Sequence, residues 1–350
     1  MITKELKAAI ATAKKYCGKN KDIPVLNNVL MSVVDNKLTI RSTDLTTWYQ
    51  CTLSNKIESM CFSVLIDPGQ LLNCLKIIKD KHVNLHVSDN ILHVYIDILF
   101  PIASMGILEV DDYPEPPIMD DAAFLTTLEG STIKQLAMGC RDFNSYPHPF
   151  TGICCNPVDK CFYATNGDIM YRYKRFGASC DKNVIINANK LSNLLDCEYS
   201  IYYSDKYVFL LSTNETILTD NIDGSYPGCK NITPTNNVES FTVDSKTLKD
   251  AINSIKHTIN DFNNIIVLTL EGNTLTLSNR DNTTSVNIAV DNTLNKDLRV
   301  SFNYKYLLQL SGLGNLVFKV NENVRYSHLS AVTIETTDFD VLLAPLRLDK

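Results

Sequence analysis

The chain has 350 residues, of which 45% are hydrophobic and 21% are charged, and its formal net charge at pH 7 is -6. These values exclude a disordered chain, which would lack the apolar residues for a core, and a protein coated with basic residues. No stretch reaches the roughly 18 uncharged apolar residues of a membrane span, and no signal-peptide segment follows the charged N-terminal residues. We therefore expect a soluble, cytoplasmic protein of two or three domains.

Three amphipathic helices recur along the chain at a period of about 115 residues. Residues 4–17, 131–143 and 245–259 each place apolar side chains at three- and four-residue spacing, which predicts one buried face. The first and third of these helices carry several lysines on the other face. The repeat indicates three similar domains.

A hairpin, a second helix and another hairpin follow each opening helix. The pattern of strand, tight polar turn and strand predicts first hairpins over residues 28–44, 151–168 and 265–281. The second helices are predicted to begin at capping residues, namely Asp67 before Pro68, Asn187 and Asn303. Closing hairpins are predicted from residues 83, 199 and 316 onward.

Two similar connectors separate the three copies. Residues 110–117 (VDDYPEPP) and 223–234 (DGSYPGCKNITP) contain a Tyr-Pro pair, and proline cannot continue a strand ladder or a helix. The predicted domains therefore span residues 1–119, 120–236 and 237–350. Antiparallel hairpins with helices on one face predict an α+β fold of three similar domains, each with two helices packed on an antiparallel sheet.

Catalytic and metal-binding motifs are missing from the sequence. It contains no phosphate-binding glycine loop, no GxSxG string and no HExxH string. His82 and His86 form a close pair, but the sequence around them predicts a strand, so we expect a plain hairpin and no metal. The eleven cysteines are scattered without a CxxC pair, which indicates buried thiols in a reducing compartment. We expect no cofactor.

Five local strings give the chain a resemblance to a known family. They are IPVLNNVLMSVVDNKLTIRSTDLT (23–46), YATNGDIMYRY (163–173), DGSYPGCKNITP (223–234), FNYKYLL (302–308) and VLLAPLRL (341–348). In this order and spacing they resemble the beta sliding clamp, the beta subunit of bacterial DNA polymerase III, over essentially the whole chain. The resemblance implies the DNA clamp fold: a head-to-tail homodimer forming a closed ring, with helices lining the hole and sheets outside. It also implies a non-catalytic processivity factor that tethers a DNA polymerase, is placed on double-stranded DNA by a clamp-loader ATPase, and binds other proteins with clamp-binding motifs.

The resemblance further implies a pocket for client peptides between the second and third domains. The residues that match its wall are Phe150, Thr165, Gly167, Asp168, Met170, Pro227, Asn231, Ile232, Asn303, Tyr306, Val332, Leu342, Ala344, Pro345, Arg347 and Leu348. An alternative is that these residues only complete a domain joint and a last strand. Asp168 and Ile169 replace the family's usual His-Arg type pair, and Asp349 and Lys350 extend past the usual Arg-Leu ending, so client preference is open.

Basic residues concentrate in or beside the predicted helices, although the chain is acidic overall. In a ring with helices inside, they would face DNA phosphates and bind without reading sequence. The alternative is an ordinary solvated helix face. The candidates are Lys4, Lys7, Lys14, Lys15, Lys76, Lys79, Lys134, Arg141, Lys190, Lys246, Lys249 and Lys256.

Residues 98–107 (ILFPIASMGI) are unusually apolar for the edge strand that the resemblance implies here. An exposed apolar edge tends to aggregate unless a partner covers it, so we expect Leu99 and Ile102 in the subunit contact. Two other functions remain open. An enzyme would need a convergent polar cluster, which the sequence does not show, and a monomeric peptide-binding adaptor would have the mass of one subunit.

Overall fold

The computed structural model describes residues 3–19, 22–53, 61–78, 82–96, 100–142, 148–175, 177–226, 239–259, 264–294, 297–320 and 331–347. Within these ranges the α-helices are α1 (Thr3–Tyr16), α2 (Pro68–Ile77), α3 (Gly130–Gly139), α4 (Ser245–Ile255) and α5 (Tyr304–Gln309). The strands of the first half are β1 (Val29–Val34), β2 (Lys37–Thr43), β3 (Thr47–Leu53), β4 (Phe62–Ile66), β5 (Asn84–Ser88), β6 (Ile91–Tyr95), β7 (Ala103–Gly106), β8 (Ala123–Glu129), β9 (Gly152–Asn156), β10 (Cys161–Thr165) and β11 (Ile169–Tyr173). Those of the second half are β12 (Val184–Asn187), β13 (Glu198–Tyr203), β14 (Tyr207–Leu211), β15 (Glu215–Asp220), β16 (Glu239–Asp244), β17 (Ile265–Glu271), β18 (Thr274–Asn279), β19 (Ser285–Ala289), β20 (Asp291–Asn292), β21 (Leu298–Asn303), β22 (Asn315–Val320), β23 (Val332–Glu335) and β24 (Phe339–Leu343).

The chain forms two compact units, Met1–Lys134 with Ile186–Ile222, and Gln135–Ile185 with Asp223–Lys350. In the first unit, an eight-stranded sheet has the order β4-β1-β2-β3-β15-β14-β13-β8, and a three-stranded sheet has the order β5-β6-β7. Strands of the second unit belong to a nine-stranded sheet, β12-β9-β10-β11-β24-β23-β22-β16-β20, and to a four-stranded sheet, β19-β18-β17-β21. The predicted α+β class with antiparallel hairpins is confirmed, whereas the three domain boundaries remain a prediction.

The hairpins follow from turn residues that tolerate a left-handed backbone. Asp35 and Asn36 have φ of 50° and 61° between β1 and β2, and Asp89 and Asn90 have φ of 51° and 59° between β5 and β6. Such two-residue turns match the twist of the flanking strands, and aspartate and asparagine adopt them more readily than most residues. Both hairpins were predicted from these residues, and β5 confirms the predicted strand around His86.

The opening helices are confirmed, and each buries one face. In α1, Leu6, Ile10 and Ala13 are fully buried, which anchors the helix on the eight-stranded sheet. The predicted cap of α2 is also confirmed, because the Asp67 carboxylate accepts hydrogen bonds from the backbone N–H groups of Gly69 at 2.6 Å and Gln70 at 3.0 Å. These bonds satisfy N–H groups that have no partner inside the helix.

The predicted second helix of the second repeat is wrong. Its segment contains a single 3-10 turn, Leu191–Asn193, and Asn187 ends β12 instead of capping a helix. The Asn187 side chain accepts a hydrogen bond from the Asn189 N–H at 3.0 Å, and Lys190 has a φ of 63°. A residue in this left-handed region cannot continue an α-helix. Among its described residues, the second repeat therefore has one α-helix, α3, instead of the two expected.

The prediction of buried thiols holds for half of the ten described cysteines. Cys17, Cys51, Cys154, Cys155 and Cys161 are buried, four others are half-buried, and Cys61 is exposed. No helix among the described residues is long and apolar enough to cross a membrane.

Candidate functional site

A tight corner between β10 and β11 positions four of the predicted pocket residues. The Thr165 hydroxyl donates to the Ile169 carbonyl at 2.8 Å and accepts from the Gly167 N–H at 3.1 Å. The Asn166 side-chain oxygen accepts from the N–H groups of Asp168 at 2.9 Å and Ile169 at 3.0 Å. Gly167 has a φ of 103°, which side chains other than glycine rarely adopt. The corner therefore projects Asp168 to the surface and leads directly into Met170.

The end of the chain completes the same sheet. In the pairing of β11 with β24, Met170 lies opposite Leu342, and the Ala344 N–H donates to the Asp168 carbonyl at 2.8 Å. The following residues are fixed by a second strand, because the Leu346 N–H donates to the Ser301 carbonyl at 2.8 Å. The Ser301 hydroxyl in turn donates to the Leu346 carbonyl at 2.6 Å. The tail is thus held on the folded unit up to Leu346.

A polar network links Asp168 to the start of α5. The Tyr306 hydroxyl donates to the Asp168 carboxylate at 2.9 Å and accepts from the Asn166 side-chain amide at 3.2 Å. Partial burial, and then the hydrogen bond to Asp168, raise the pKa of Tyr306. Asn303 caps this helix as predicted, accepting from the Lys305 N–H at 3.0 Å. The negative charge of Asp168 is therefore partly engaged by a neutral phenol instead of being free in solvent.

An aromatic pair supports the other side of the corner. The rings of Phe150 and Tyr226 meet edge to face, with centroids 5.7 Å apart. Tyr226 is buried, and its hydroxyl accepts from the Thr165 N–H at 3.0 Å and donates to the Gly152 carbonyl at 3.4 Å. The guanidinium of Arg141, predicted to face DNA, lies over the Phe150 ring at 5.5 Å and donates to the Asn166 carbonyl at 3.3 Å. The structure thus places Arg141 beside the predicted peptide pocket.

The apolar residues of the predicted pocket form two layers. Met170, Leu342 and Val332 keep at most 8% of their surface exposed, so they support the site from beneath. Phe150, Tyr306, Pro345 and Ala344 are half-buried, and Arg347, Asp168 and Gly167 are exposed. The remaining predicted residues, Pro227, Asn231, Ile232 and Leu348, lie outside the described residues.

The lysines predicted to face DNA fall into two groups. Lys4, Lys14, Lys15, Lys76, Lys246 and Lys249 are exposed on α1, α2 and α4, and Lys256 is half-buried just after α4. Exposed ammonium groups on helices can contact phosphates without base-specific geometry. Lys79 lies outside the described residues.

Three other basic residues are committed to contacts within the protein. The Lys190 ammonium contacts the Asp44 carboxylate at 2.6 Å and donates to the carbonyls of Tyr16 at 2.8 Å and Cys17 at 3.1 Å. These carbonyls end α1, where backbone acceptors lack partners inside the helix. Lys7 donates to the Ile78 carbonyl at 2.8 Å, and Lys134 pairs with Asp196. Lys190 therefore closes a helix end in this geometry.

The predicted subunit contact lies beside an open sheet edge. β7 is the last strand of the three-stranded sheet, and Ile102, just before it, is 41% exposed. Phe100 and Leu108 flank the strand with 80% and 48% of their surface exposed. Leu99 lies outside the described residues. The described part of this edge thus presents apolar side chains to solvent.

Comparison with known proteins gives a consistent result over most of the chain. The family model of the DNA polymerase III beta subunit, N-terminal domain, matches residues 1–117, and that of the C-terminal domain matches residues 230–322. The chain belongs to the beta sliding clamp family. Beta subunits are non-catalytic processivity subunits, so the chain is a clamp subunit and not an enzyme.

Solved structures of beta clamps share its fold. A Helicobacter pylori beta clamp bound to a DNA ligase peptide is 17% identical, with a TM-score of 0.77 over 99% of both chains. A Streptococcus pneumoniae beta chain is 18% identical, with a TM-score of 0.78 over 99% of this chain and 100% of that chain. A Bartonella birtlesii sliding clamp bound to griselimycin is 19% identical, with a TM-score of 0.77 over 99% and 98%. No curated protein sequence matches the chain.

Sequence reasoning missed several residues that hold this clamp's corner. Asn166, Tyr226 and Ser301 make the bonds described above, but none was a candidate. A signal was present for Tyr226, because both connectors contain a Tyr-Pro pair that we interpreted only as a break in secondary structure. Among the described residues, no group of three or more histidine, cysteine, aspartate or glutamate side chains is arranged to hold a metal.

Proposed function

We propose that this clamp subunit closes with a second copy, head to tail, into a ring around duplex DNA and tethers a DNA polymerase for processive synthesis. The observation that carries the proposal is the match of beta-subunit family models to both ends of the chain. A head-to-tail contact makes a closed ring when its rotation closes on itself. The apolar edge around Ile102 is the surface we assign to this contact on the first domain.

The exposed lysines of α1 and α4 supply the contact to DNA in this proposal. Lys4, Lys14 and Lys15 on α1 and Lys246 and Lys249 on α4 would each contact phosphates of the encircled DNA. Because such contacts release counterions, binding to short linear duplexes should be weak and should fall steeply with salt. Retention on DNA then depends on encirclement, and placement requires a clamp-loader ATPase. Action on DNA with a loader and polymerase assigns the protein to the cytoplasm.

The corner at residues 165–170 and the tail form the client-peptide pocket in this proposal. The pocket residues are those with which the sequence resembles the family, from Phe150 to Leu348. Half-buried apolar groups beside a few polar atoms suit the short apolar anchor of a linear peptide. The Helicobacter pylori relative was crystallised with a DNA ligase peptide, which supports a site for peptides of replication and repair proteins.

The ring is tested by mass and by topology. Light scattering after size exclusion should give twice the subunit mass of 39.3 kDa. Clamps loaded on circular DNA should survive a salt wash and should slide off once the DNA is cut. A subunit-sized mass with peptide binding intact would favour a monomeric adaptor, and retention on linear DNA would contradict encirclement.

The pocket is tested separately with peptide titrations. Deleting residues 344–350 should abolish binding of the polymerase's clamp-binding peptide while the mass of the assembly stays unchanged. Loss of an apolar anchor contact typically costs about 2 kcal/mol or more. Asp168→His is the matched change at the rim: it should shift preference toward peptides with acidic flanks. Identical peptide ranking in both proteins would mean that Asp168 does not contact the client.

A further inference from the structure

An apolar cavity lies within the first compact unit, whereas the residues of the client pocket belong to the second unit. It has a volume of about 160 Å³ and lies beneath the connector of residues 110–117. Its walls include Trp48 on β3, Phe209 on β14, Leu218 on β15 and Pro116 of the connector. The side chains of Phe209 and Leu218 are buried, so the cavity extends from the connector into the core.

The turn between β2 and β3, beside this cavity, repeats the hydrogen bonds of the turn between β10 and β11 in the client pocket. The Thr43 hydroxyl donates to the Thr47 carbonyl at 3.0 Å and accepts from the Leu45 N–H at 2.9 Å, as Thr165 does with Ile169 and Gly167. The Asp44 carboxylate accepts from the Thr47 N–H at 2.8 Å, as the Asn166 amide oxygen does from Ile169. The two corners therefore direct the strands that follow them in the same way.

The strands after the corners also correspond. Trp48 lies opposite Leu218 in the pairing of β3 with β15, as Met170 lies opposite Leu342 in the pairing of β11 with β24. A Tyr-Pro connector follows in both repeats, at Tyr113 and at Tyr226. The cavity thus occupies, in the first repeat, the position that the client pocket has in the second.

We propose that this cavity, which we call the connector cavity, binds a linear peptide of another protein through one aromatic or leucine side chain beside an acidic residue. The volume supports the binding of one aromatic or leucine side chain, because an apolar cavity of about 150 Å³ is large enough to bind benzene. An indole wall favours an aromatic partner, since aromatic rings gain from edge-to-face contact. The choice of a peptide over a free small molecule rests on the proposed function, whereas the cavity itself does not.

The positive charge of Arg41 supports the acidic residue of the proposed peptide. Arg41 lines the cavity, and its guanidinium pairs with the Glu115 carboxylate at 2.7 Å. The Glu115 side chain is 75% exposed and that of Arg41 is 27% exposed, so the pair lies at the surface, where such pairs contribute little. A peptide carboxylate can replace Glu115 as the partner of Arg41. In addition, the Trp48 indole N–H is buried and has no acceptor among the described residues, so a small rotation toward a peptide carbonyl would satisfy it.

The test uses the full-length protein and its own tryptophan. Trp48 is the one tryptophan of the sequence, so its fluorescence reports on this cavity. The probe is a blocked tripeptide of glycine, phenylalanine and aspartate, with matched peptides that carry alanine for phenylalanine or lysine for aspartate. We expect a saturable change in emission with the first peptide and an affinity at least about tenfold lower with each of the others.

Two surface variants make the test independent of core packing. Arg41→Gln should weaken binding of the aspartate peptide about tenfold, whereas Glu115→Gln should strengthen it by removing the competing carboxylate. Leu218→Phe, which fills the cavity, should abolish the response in a protein whose circular dichroism is unchanged. Equal fluorescence responses to the phenylalanine and alanine peptides would overturn the proposal. Unchanged affinity for the aspartate peptide in both Arg41→Gln and Glu115→Gln would also overturn it. So would tighter binding of blocked phenylalanine alone than of the tripeptide.

A failure of the connector-cavity proposal can be distinguished from a failure of the proposed client pocket. Deleting residues 344–350 removes one wall of the client pocket and should leave the Trp48 response intact. If the deletion variant still binds the polymerase peptide, the client pocket fails while the connector cavity stands. If the Trp48 response disappears with the tail, the tripeptide occupies the client pocket and the connector cavity fails.

Discussion

Replacing Lys190 with methionine should destabilise the fold, because this residue holds an ion pair and a helix end. The sequence placed this lysine among the DNA-facing residues, but its ammonium group contacts Asp44 and the last carbonyls of α1. Lys190→Met keeps most of the aliphatic side chain and removes the charge. The change leaves the carboxylate without its cation and the carbonyls of Tyr16 and Cys17 without this donor.

The expected loss of stability follows from the burial of the ion pair between Lys190 and Asp44. Removing one partner of a fully buried ion pair costs about 3–5 kcal/mol. The side chains of Lys190 and Asp44 both keep 17% of their surface exposed, and Asp44 retains its bonds to the N–H groups of Thr46 and Thr47. We therefore expect the lower end of that range, a decrease of about 3 kcal/mol in the free energy of unfolding.

The assay is denaturant unfolding followed by circular dichroism. The matched control is Lys4→Met, which removes an exposed lysine from the same unit and should change stability by less than about 0.5 kcal/mol. A double-mutant cycle with Asp44→Asn isolates the energy of the pair itself. Equal stabilities of the Lys190 and Lys4 variants would refute the reasoning. Reduced DNA loading by Lys190→Met at unchanged stability would restore the DNA-facing assignment.

Three further predictions concern the subunit edge and the cysteines. Replacing Ile102 and Leu99 with lysine should give folded monomers, and a persistent dimer in light scattering would remove this edge from the contact. Burial raises the pKa of the Cys51 thiol from 9.0 to about 11, so its contribution to stability is complete below pH 9 and is lost as pH rises toward 11. Cys51→Ala should reduce the pH dependence of unfolding over that interval, and an unchanged slope would contradict the assignment. The sulfurs of Cys155 and Cys180 lie 3.6 Å apart, so oxidised glutathione should join them in a disulfide, detected by peptide mass mapping. Cys180→Ser should prevent this product, and a different pairing in the native protein would argue against the geometry.

The hairpins and the caps of α2 and α5 could be predicted because their signals are local. Asp35 and Asn36 determine a turn by their own backbone preferences, and Asp67 caps α2 through neighbours two and three residues away. Most of the predicted site residues came from resemblance, and the structure joins Thr165, Asp168 and Tyr306 into one network.

The wrong helix and the missed site residues depend on contacts between residues that are far apart in the sequence. Residues 190–197 carry a helical spacing of apolar residues, but Lys190 adopts a left-handed backbone in a segment whose amine reaches a carbonyl 174 residues away. No local pattern encodes that contact. The same holds for Tyr226, whose hydroxyl bonds to a strand 61 residues earlier, and for Ser301, whose hydroxyl bonds to Leu346, 45 residues later.

The pairing of β11 with β24 has a consequence for how the chain is made. Arg172 on β11 forms an ion pair with Asp340 on β24, 168 residues later in the chain. During synthesis β11 therefore leaves the ribosome long before its neighbour exists, and it presents an unpaired edge of the kind that recruits other strands. A transcript cut short before β24 would yield a chain with that edge permanently open. Such products should be enriched in aggregates and in complexes with chaperones.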